Sequence, residues 1–195
     1  MGLKNSNTTA SYLPWDTMLK LIRSLYRDGD YRMSLFIGSG CFFGLRVSDL
    51  KKLTWGMLLD DEKFVIIEQK TGKRRIVKIN PDFQCHIRKC YKALNIEDTE
   101  EKCFLSQKKV VYSTQRLNVK LKNIKTKYKL KIENFSCHSL RKAFGRRVFE
   151  QSGEQAQLAL VKLSELFNHS NVSITRIYLG IHQQELMETY DLLDF

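Results

Sequence analysis

The sequence is short of the features that mark several large protein classes. It has 2 prolines among 195 residues, with 43% hydrophobic and 11% aromatic residues, which excludes a disordered chain and leaves enough apolar material for one ordinary core. No apolar run approaches the roughly 20 residues that span a bilayer, and the opening MGLKNSNTTASYLPW lacks the basic-then-apolar order of a secretory signal. Five cysteines (Cys41, Cys85, Cys90, Cys103 and Cys137) form an odd set without a CxxC pair, so neither a disulfide framework nor a zinc spacing is present, and reduced, mostly buried thiols are expected. The four histidines and the acidic triplet 60–62 contain no HExxH and no clustered carboxylate set, so neither a catalytic metal nor any other cofactor is expected. Walker, GxGxxG and GxSxG patterns are missing too, which removes the commonest nucleotide and acyl-transfer readings.

What is present in excess is positive charge. There are 33 Lys and Arg against 21 Asp and Glu, a net charge of +12 and a pI near 9.5. Such an excess draws polyanions, nucleic acid first and anionic membrane second, and charge alone does not choose between them. It is unevenly placed. From Lys102 to Ile132 there are ten cations and no acid, among them Lys120, Lys122 and Lys125, with Leu117, Leu121 and Ile124 at helical spacing. One face of this helix is expected in the core. The other is expected to meet a polyanion, because a merely solvated face normally carries both signs.

The organisation is α+β and mainly helical. Pro14 at a first-turn position opens a helix that Asp28-Gly29-Asp30 ends. The apolar stretch from Met33 to Phe43 predicts a buried helix stopping at Gly44, and Leu45 to Leu53 a short one. Thr54 to Leu59, Lys63 to Gln69 and Arg74 to Ile79 are predicted as a small three-stranded antiparallel sheet, with a basic second turn, Lys70-Thr71-Gly72-Lys73. Asn80-Pro81 starts a helix over 82–94, and further helices are predicted over 139–151, over 154–167 and up to Leu179. Residues 1–13 read as a leader or linker remnant, 14–180 as the functional domain, and 181–195 as an acidic and apolar tail.

Dispersed along this framework are residues suited to phosphate: Arg46 in GLRVSDLKKLTW, Lys70 in QKTGKRR, His138 and Arg141 in CHSLRKAF, His169 in LFNHSNVS and Tyr178 in ITRIYLG. His138 and Arg141 lie three apart, on one face at the start of a helix, a ready phosphate clamp. Taken singly each has an ordinary reading: Arg46 paired with Asp49, Lys70 an exposed turn lysine, Tyr178 a half-buried aromatic beside Ile174 and Ile177. As an ordered set they resemble the catalytic domain of tyrosine recombinases, the phage-integrase family, over residues 14–180. GLRVSDLKKL looks like the first arginine box, CHSLRKAF and LFNHSNVSITRIY like the second and third, and the tyrosine follows His169 by nine residues.

The resemblance implies a tyrosine-recombinase catalytic fold and site-specific recombination (integration or excision) of double-stranded DNA. In this chemistry Tyr178 attacks a phosphate to form a 3′-phosphotyrosyl link and release a 5′-hydroxyl. Arg46 and Arg141 grip the non-bridging oxygens, His138 and His169 hydrogen-bond around the same centre, and Lys70 protonates the leaving oxygen. Lys73, Arg74 and Arg75 are expected as backbone-phosphate contacts beside Lys120, Lys122 and Lys125. It implies homo-oligomers on DNA, a tetrameric synapse with the tail packed on a neighbouring protomer or on its own domain, and a bacterial or phage-type cytoplasmic, nucleoid-associated setting without membrane contact. Three departures stand out. Phe167-Asn168 replaces the usual Leu-Gly before the last histidine, Ser139 replaces the acidic residue commonly found after the second-box histidine, and no core-binding domain precedes Pro14, so a catalytic-domain fragment or a minimal member is expected. A type IB topoisomerase and a non-catalytic DNA-binding relative are the alternatives.

Overall fold

A computed structural model describes residues 10–60 and 62–191, without the side chains of Gln183 and Glu185. Most of the leader (1–9), Asp61 of the acidic triplet, and Leu193, Asp194 and Phe195 of the tail lie outside the described residues. The chain forms two compact units that divide between Ala143 and Phe144.

The first unit starts with α1 (Trp15–Arg27), whose Met18, Leu21, Ile22 and Leu25 are buried on one face. The next helix, α2 (Tyr31–Phe43), is buried almost throughout; the Asp30 side chain caps it by accepting from the Met33 amide, and Gly44 ends it at φ 57°, a left-handed turn that glycine takes without strain. Gly40 lets α2 run close to the next-but-several helix: a Cβ there would lie 2.7 Å from that of Leu140. Two short helices follow, α3 (Val47–Leu50) and α4 (Trp55–Leu59).

The helix α4 corrects the sequence reading, which placed a strand over 54–59. Thr54 accepts a hydrogen bond from the Met57 amide, and Trp55 and Leu58 are buried one turn apart, so a capped amphipathic turn forms where six residues of mixed pattern suggested extended chain. Among the described residues the sheet therefore has two strands, not three: β1 (Lys63–Ile67) and β2 (Arg74–Lys78), antiparallel with Phe64 opposite Val77 and Ile66 opposite Arg75. The rest of the unit holds α5 (Pro81–Ala93), capped by Asn80 as expected, and α6 (Thr114–Lys127), capped by Ser113 with Leu117, Leu121 and Ile124 inward. The helix α7 (Cys137–Gln151) carries the chain into the second unit.

Beyond α7 come a single 3-10 turn (Gly153–Gln155), α8 (Ala156–Phe167), α9 (Val172–Leu179) and α10 (Ile181–Tyr190). Leu160, Leu163, Phe167, Leu179 and Ile181 form the core of this unit. Among the described residues no helix is long and apolar enough to cross a membrane. The thiols of Cys41, Cys90, Cys103 and Cys137 are buried and unbridged, as expected, while Cys85 is exposed. Burial pushes Cys90 and Cys137 up to about 12.

One half-buried histidine sets a pH limit on this fold. His86 lies 2.9 Å from the Ser34 hydroxyl and stacks on Phe83. Burial, with Lys89 nearby, depresses its pKa to about 4, against about 6.5 when unfolded. The unfolded chain therefore takes up a proton first, so stability is retained above about pH 6.5 and falls as the pH drops from about 6.5 to about 4, by about 2 kcal/mol after allowance for its partial exposure. Urea unfolding followed across that window checks this. His86→Gln removes the titration and is expected to flatten the dependence; an unchanged slope assigns it to other groups.

Candidate active site

The end of α2 gathers Arg46, Arg75 and Arg141 of the first unit. The last carbonyls of a helix carry partial negative charge and lack intrahelical donors. Here the Phe43 carbonyl accepts from Arg75 Nη2 at 2.8 Å, and the Gly44 carbonyl accepts from Arg141 Nη1 at 2.7 Å. Arg46 stands two residues further on, half-buried, with Nη1 donating to Glu68 Oε2 at 3.0 Å. Arg141, 95 positions further along the chain than Arg46, is thus bound to the segment after α2 that carries Arg46.

The acid that pairs with Arg46 is Glu68, not Asp49. Asp49 is fully buried, and its Oδ1 accepts from the Gln69 amide at 2.8 Å. Glu68 also receives Arg75 Nη1 at 3.4 Å and the Thr71 hydroxyl at 2.9 Å. Burial by itself would raise the Glu68 carboxyl, but the Thr71 hydroxyl and the charges of Arg46 and Arg75 outweigh it and hold it below the ordinary carboxylate value,. The sequence reading missed this residue. Its signal was the alternation in β1: Phe64 and Ile66 face inward, and the same period of two continues to Glu68, an acid on a core-facing position.

Lys70 sits on the exposed turn between the strands. Gly72 makes the turn at φ 67°, and the hairpin closes through the Glu68 amide to the Lys73 carbonyl at 3.0 Å and the Gly72 amide to the Glu68 carbonyl at 2.9 Å. Both neighbours of Lys70 are therefore tied down, Gln69 to Asp49 and Thr71 to Glu68. Arg75 departs from the expectation of a DNA contact. Its side chain is 13% exposed and bonded to Phe43 and Glu68, because the register of β2 turns it toward the α2 terminus; it builds the site from inside. Lys73 and Arg74 are exposed.

His138 and Arg141 occupy the first turns of α7. Arg141 is buried while His138 remains exposed at the surface. Partial burial, then Arg141 and Lys142, lower the His138 pKa, which keeps its imidazole neutral at neutral pH and able both to donate and to accept. Ser139, at the position expected to be acidic, is fully buried: its Oγ donates to the Asn134 carbonyl at 3.1 Å and accepts from the Ser136 amide at 3.0 Å. It fastens the loop that enters α7.

In the second unit, α8 ends at Asn168 with φ 53° and ψ 50°, the left-handed turn that asparagine tolerates in place of glycine. The turn presents His169, whose Nδ1 lies 2.9 Å from the fully buried Thr175 hydroxyl. Thr175 thus fixes the ring orientation and was not anticipated from the sequence. Tyr178, one turn on along α9, packs edge-on against His169 with ring centroids 5.4 Å apart and against Phe167 at 5.6 Å. Phe167, the departure noted before the histidine, is the surface on which both rings rest.

The basic helix α6 shows Lys122 exposed, Lys120 over the Tyr112 ring at 5.2 Å, and Lys125 bonded to the Glu133 carbonyl at 2.8 Å. The face is less uniform than its sequence. Asp28, 99 residues away, pairs with Lys127 at 2.7 Å.

Comparison with known proteins bears on the family and the fold of this chain. The model of the phage integrase family matches residues 15–185. The tyrosine recombinase XerC of Xanthomonas campestris pv. campestris (strain B100) is 26% identical over 159 residues, covering 82% of this chain and 46% of the relative. The tyrosine recombinase XerD of Rhizobium meliloti (strain 1021) is 27% identical over 145 residues, covering 73% and 45%. The chain thus spans about half the length of the curated relatives it matches. Among solved structures, XerA recombinase superposes with a TM-score of 0.67 at 20% identity, over 97% of this chain and 68% of the other. The lambda integrase catalytic core gives 0.60 at 19% identity, over 82% and 91%. These likenesses establish the fold.

Proposed function

The chain belongs to the phage integrase family, and from that premise we propose that it cuts and rejoins duplex DNA at specific sites through a tyrosyl-phosphate bond. The observation that carries this reading is the gathering at the α2 terminus, where Arg141 crosses 97 positions to the Gly44 carbonyl and stands on the same segment as Arg46. Two guanidiniums with directed N–H donors suit the non-bridging oxygens of a phosphate, and they stabilise the extra charge of a pentacoordinate transition state. In the reaction the Tyr178 Oη forms a bond to phosphorus as the bond to the 5′-oxygen breaks. The phenolic proton passes to a base, for which the Thr175-oriented His169, packed against the Tyr178 ring, is suited. Lys70 delivers a proton to the departing oxygen. The phosphodiester energy is kept in the new bond, so a second 5′-hydroxyl reverses the steps on a different strand.

A duplex nicked near the scissile phosphate tests the proposal, because the short released strand diffuses away and traps the intermediate. A protein–DNA adduct resistant to denaturation is the expected result, and its absence overturns the reading. Strand exchange between two duplexes is expected besides, and separates a recombinase from an enzyme that relaxes one strand.

The partner is double-stranded DNA, held on α6 and on the hairpin residues Lys73 and Arg74. Affinity is expected to fall steeply with salt, since each phosphate neutralised releases counterions. Charge reversal at Lys120, Lys122 and Lys125 is expected to lower the slope of log affinity against log salt by about one for each lost contact; an unchanged slope removes α6 from the interface.

The assembly we propose is a tetrameric synapse in which α10 packs on a neighbouring protomer. Leu186, Met187 and Tyr190 are exposed along this helix, and apolar side chains in a row favour a protein surface. Replacing all three with alanine is expected to leave single-site affinity intact and reduce cooperativity on a two-site duplex. Retained cooperativity in gel-shift titration overturns trans packing.

A further inference from the structure

Glu68 stands among the cations of the α2 terminus, and its contacts reach both Arg46 and the Lys70 turn. Its carboxylate is 5% exposed and divides its oxygens: Oε2 accepts from Arg46 at 3.0 Å and from Thr71 at 2.9 Å, Oε1 from Arg75 at 3.4 Å. Its backbone closes the hairpin on both sides of the turn. A single carboxylate between two guanidiniums leaves the cluster positive, so it does not cancel the attraction for phosphate. A buried acid at the end of an apolar strand face is costly unless it is paired.

Resting on the strand-cleavage reading, we infer that Glu68 is a positioning residue: it ties the turn that carries Lys70 to Arg46, so that the ammonium group meets the leaving oxygen of the phosphate that Arg46 holds. The mechanical link runs from Arg46 Nη1 through the carboxylate to the Thr71 hydroxyl, next to Lys70 in the chain. Asp49, through the Gln69 amide, anchors the other side of the turn but touches no cation that the strand-cleavage reading assigns to the phosphate. Proton transfer depends on sub-ångström placement, so the role is visible in the leaving-group step rather than in binding.

The test compares cleavage of an ordinary nicked duplex with that of one carrying a 5′-bridging phosphorothiolate, whose sulfur leaves without a proton. Single-turnover rates are measured for the wild type, Glu68→Ala, Glu68→Gln, Lys70→Ala and the double variant Glu68→Ala with Lys70→Ala, with melting temperature alongside. The ratio of sulfur to oxygen rates is expected to rise about tenfold in Glu68→Ala, the scale of a misplaced reacting group. It is expected to rise less in Glu68→Gln, whose amide oxygen still accepts from Thr71, and not to rise further when Glu68→Ala is added to Lys70→Ala. Should the alanine variant fail to fold, the glutamine variant supplies the ratio. A ratio unchanged from wild type in every folded Glu68 variant, with both substrates slowed alike, reduces Glu68 to a structural ion pair and overturns the inference. The absence of any adduct with the wild-type chain on either substrate overturns the strand-cleavage reading itself.

Discussion

Tyr178→Phe is expected to bind duplex DNA with unchanged affinity and to form no covalent adduct. The change removes one oxygen and leaves the ring, which packs on Phe167 and His169 at 5.6 and 5.4 Å, so the fold cost is expected to stay within about 1 kcal/mol. The chemical cost is of another order. Loss of a nucleophile removes the covalent route altogether, a drop on the order of 10⁴-fold or more, because no other group replaces an oxygen aligned with the phosphorus. Denaturing gels of the trapped complex read the adduct, and gel shifts on the same samples read binding. An adduct that persists in Tyr178→Phe assigns the nucleophile elsewhere. Lost binding in a folded variant gives the hydroxyl a role in DNA contact instead.

The second large effect is expected from Lys70→Ala. An alkoxide is a poor leaving group at neutral pH, and a positioned acid that protonates it is worth about 10² to 10⁴ in rate. The flanks of Lys70 are held: it is exposed at the surface, while Gln69 and Thr71 are bonded to Asp49 and Glu68. Cleavage of an ordinary duplex is therefore expected to slow by that factor, with the phosphorothiolate duplex cut close to the wild-type rate. Equal slowing on both substrates makes Lys70 a phosphate contact. Because the lysine lies in a solvent-exposed turn, its removal is expected to leave the melting temperature within a degree or two, so the rate effect is not one of folding.

What could be read without coordinates was everything governed by neighbours in the chain. Asn80 before Pro81 marked α5, the spacing of Leu117, Leu121 and Ile124 marked α6, and Gly44 marked the end of α2, since caps, periodicity and positive φ act over one or two turns. The order Arg46, Lys70, His138, Arg141, His169, Tyr178 was legible for the same reason, each residue standing in a local box. Segments too short to show a period were not: Thr54 to Leu59 suits strand or helix, and only burial of Trp55 and Leu58 selected the helix. Charge pairing lay outside the reach of the sequence as well. Arg46 has Asp49 three positions away, yet its carboxylate is Glu68 across the hairpin, and Asp28 answers Lys127 over 99 positions. Arg75 reads as one more cation in a basic turn, and the β-register turns it to the Phe43 carbonyl. An ion pair costs desolvation wherever it forms and is chosen by which groups the folded backbone leaves within reach. The identities of the candidate site residues were therefore set by the sequence, while the partners that orient them were set by the tertiary structure.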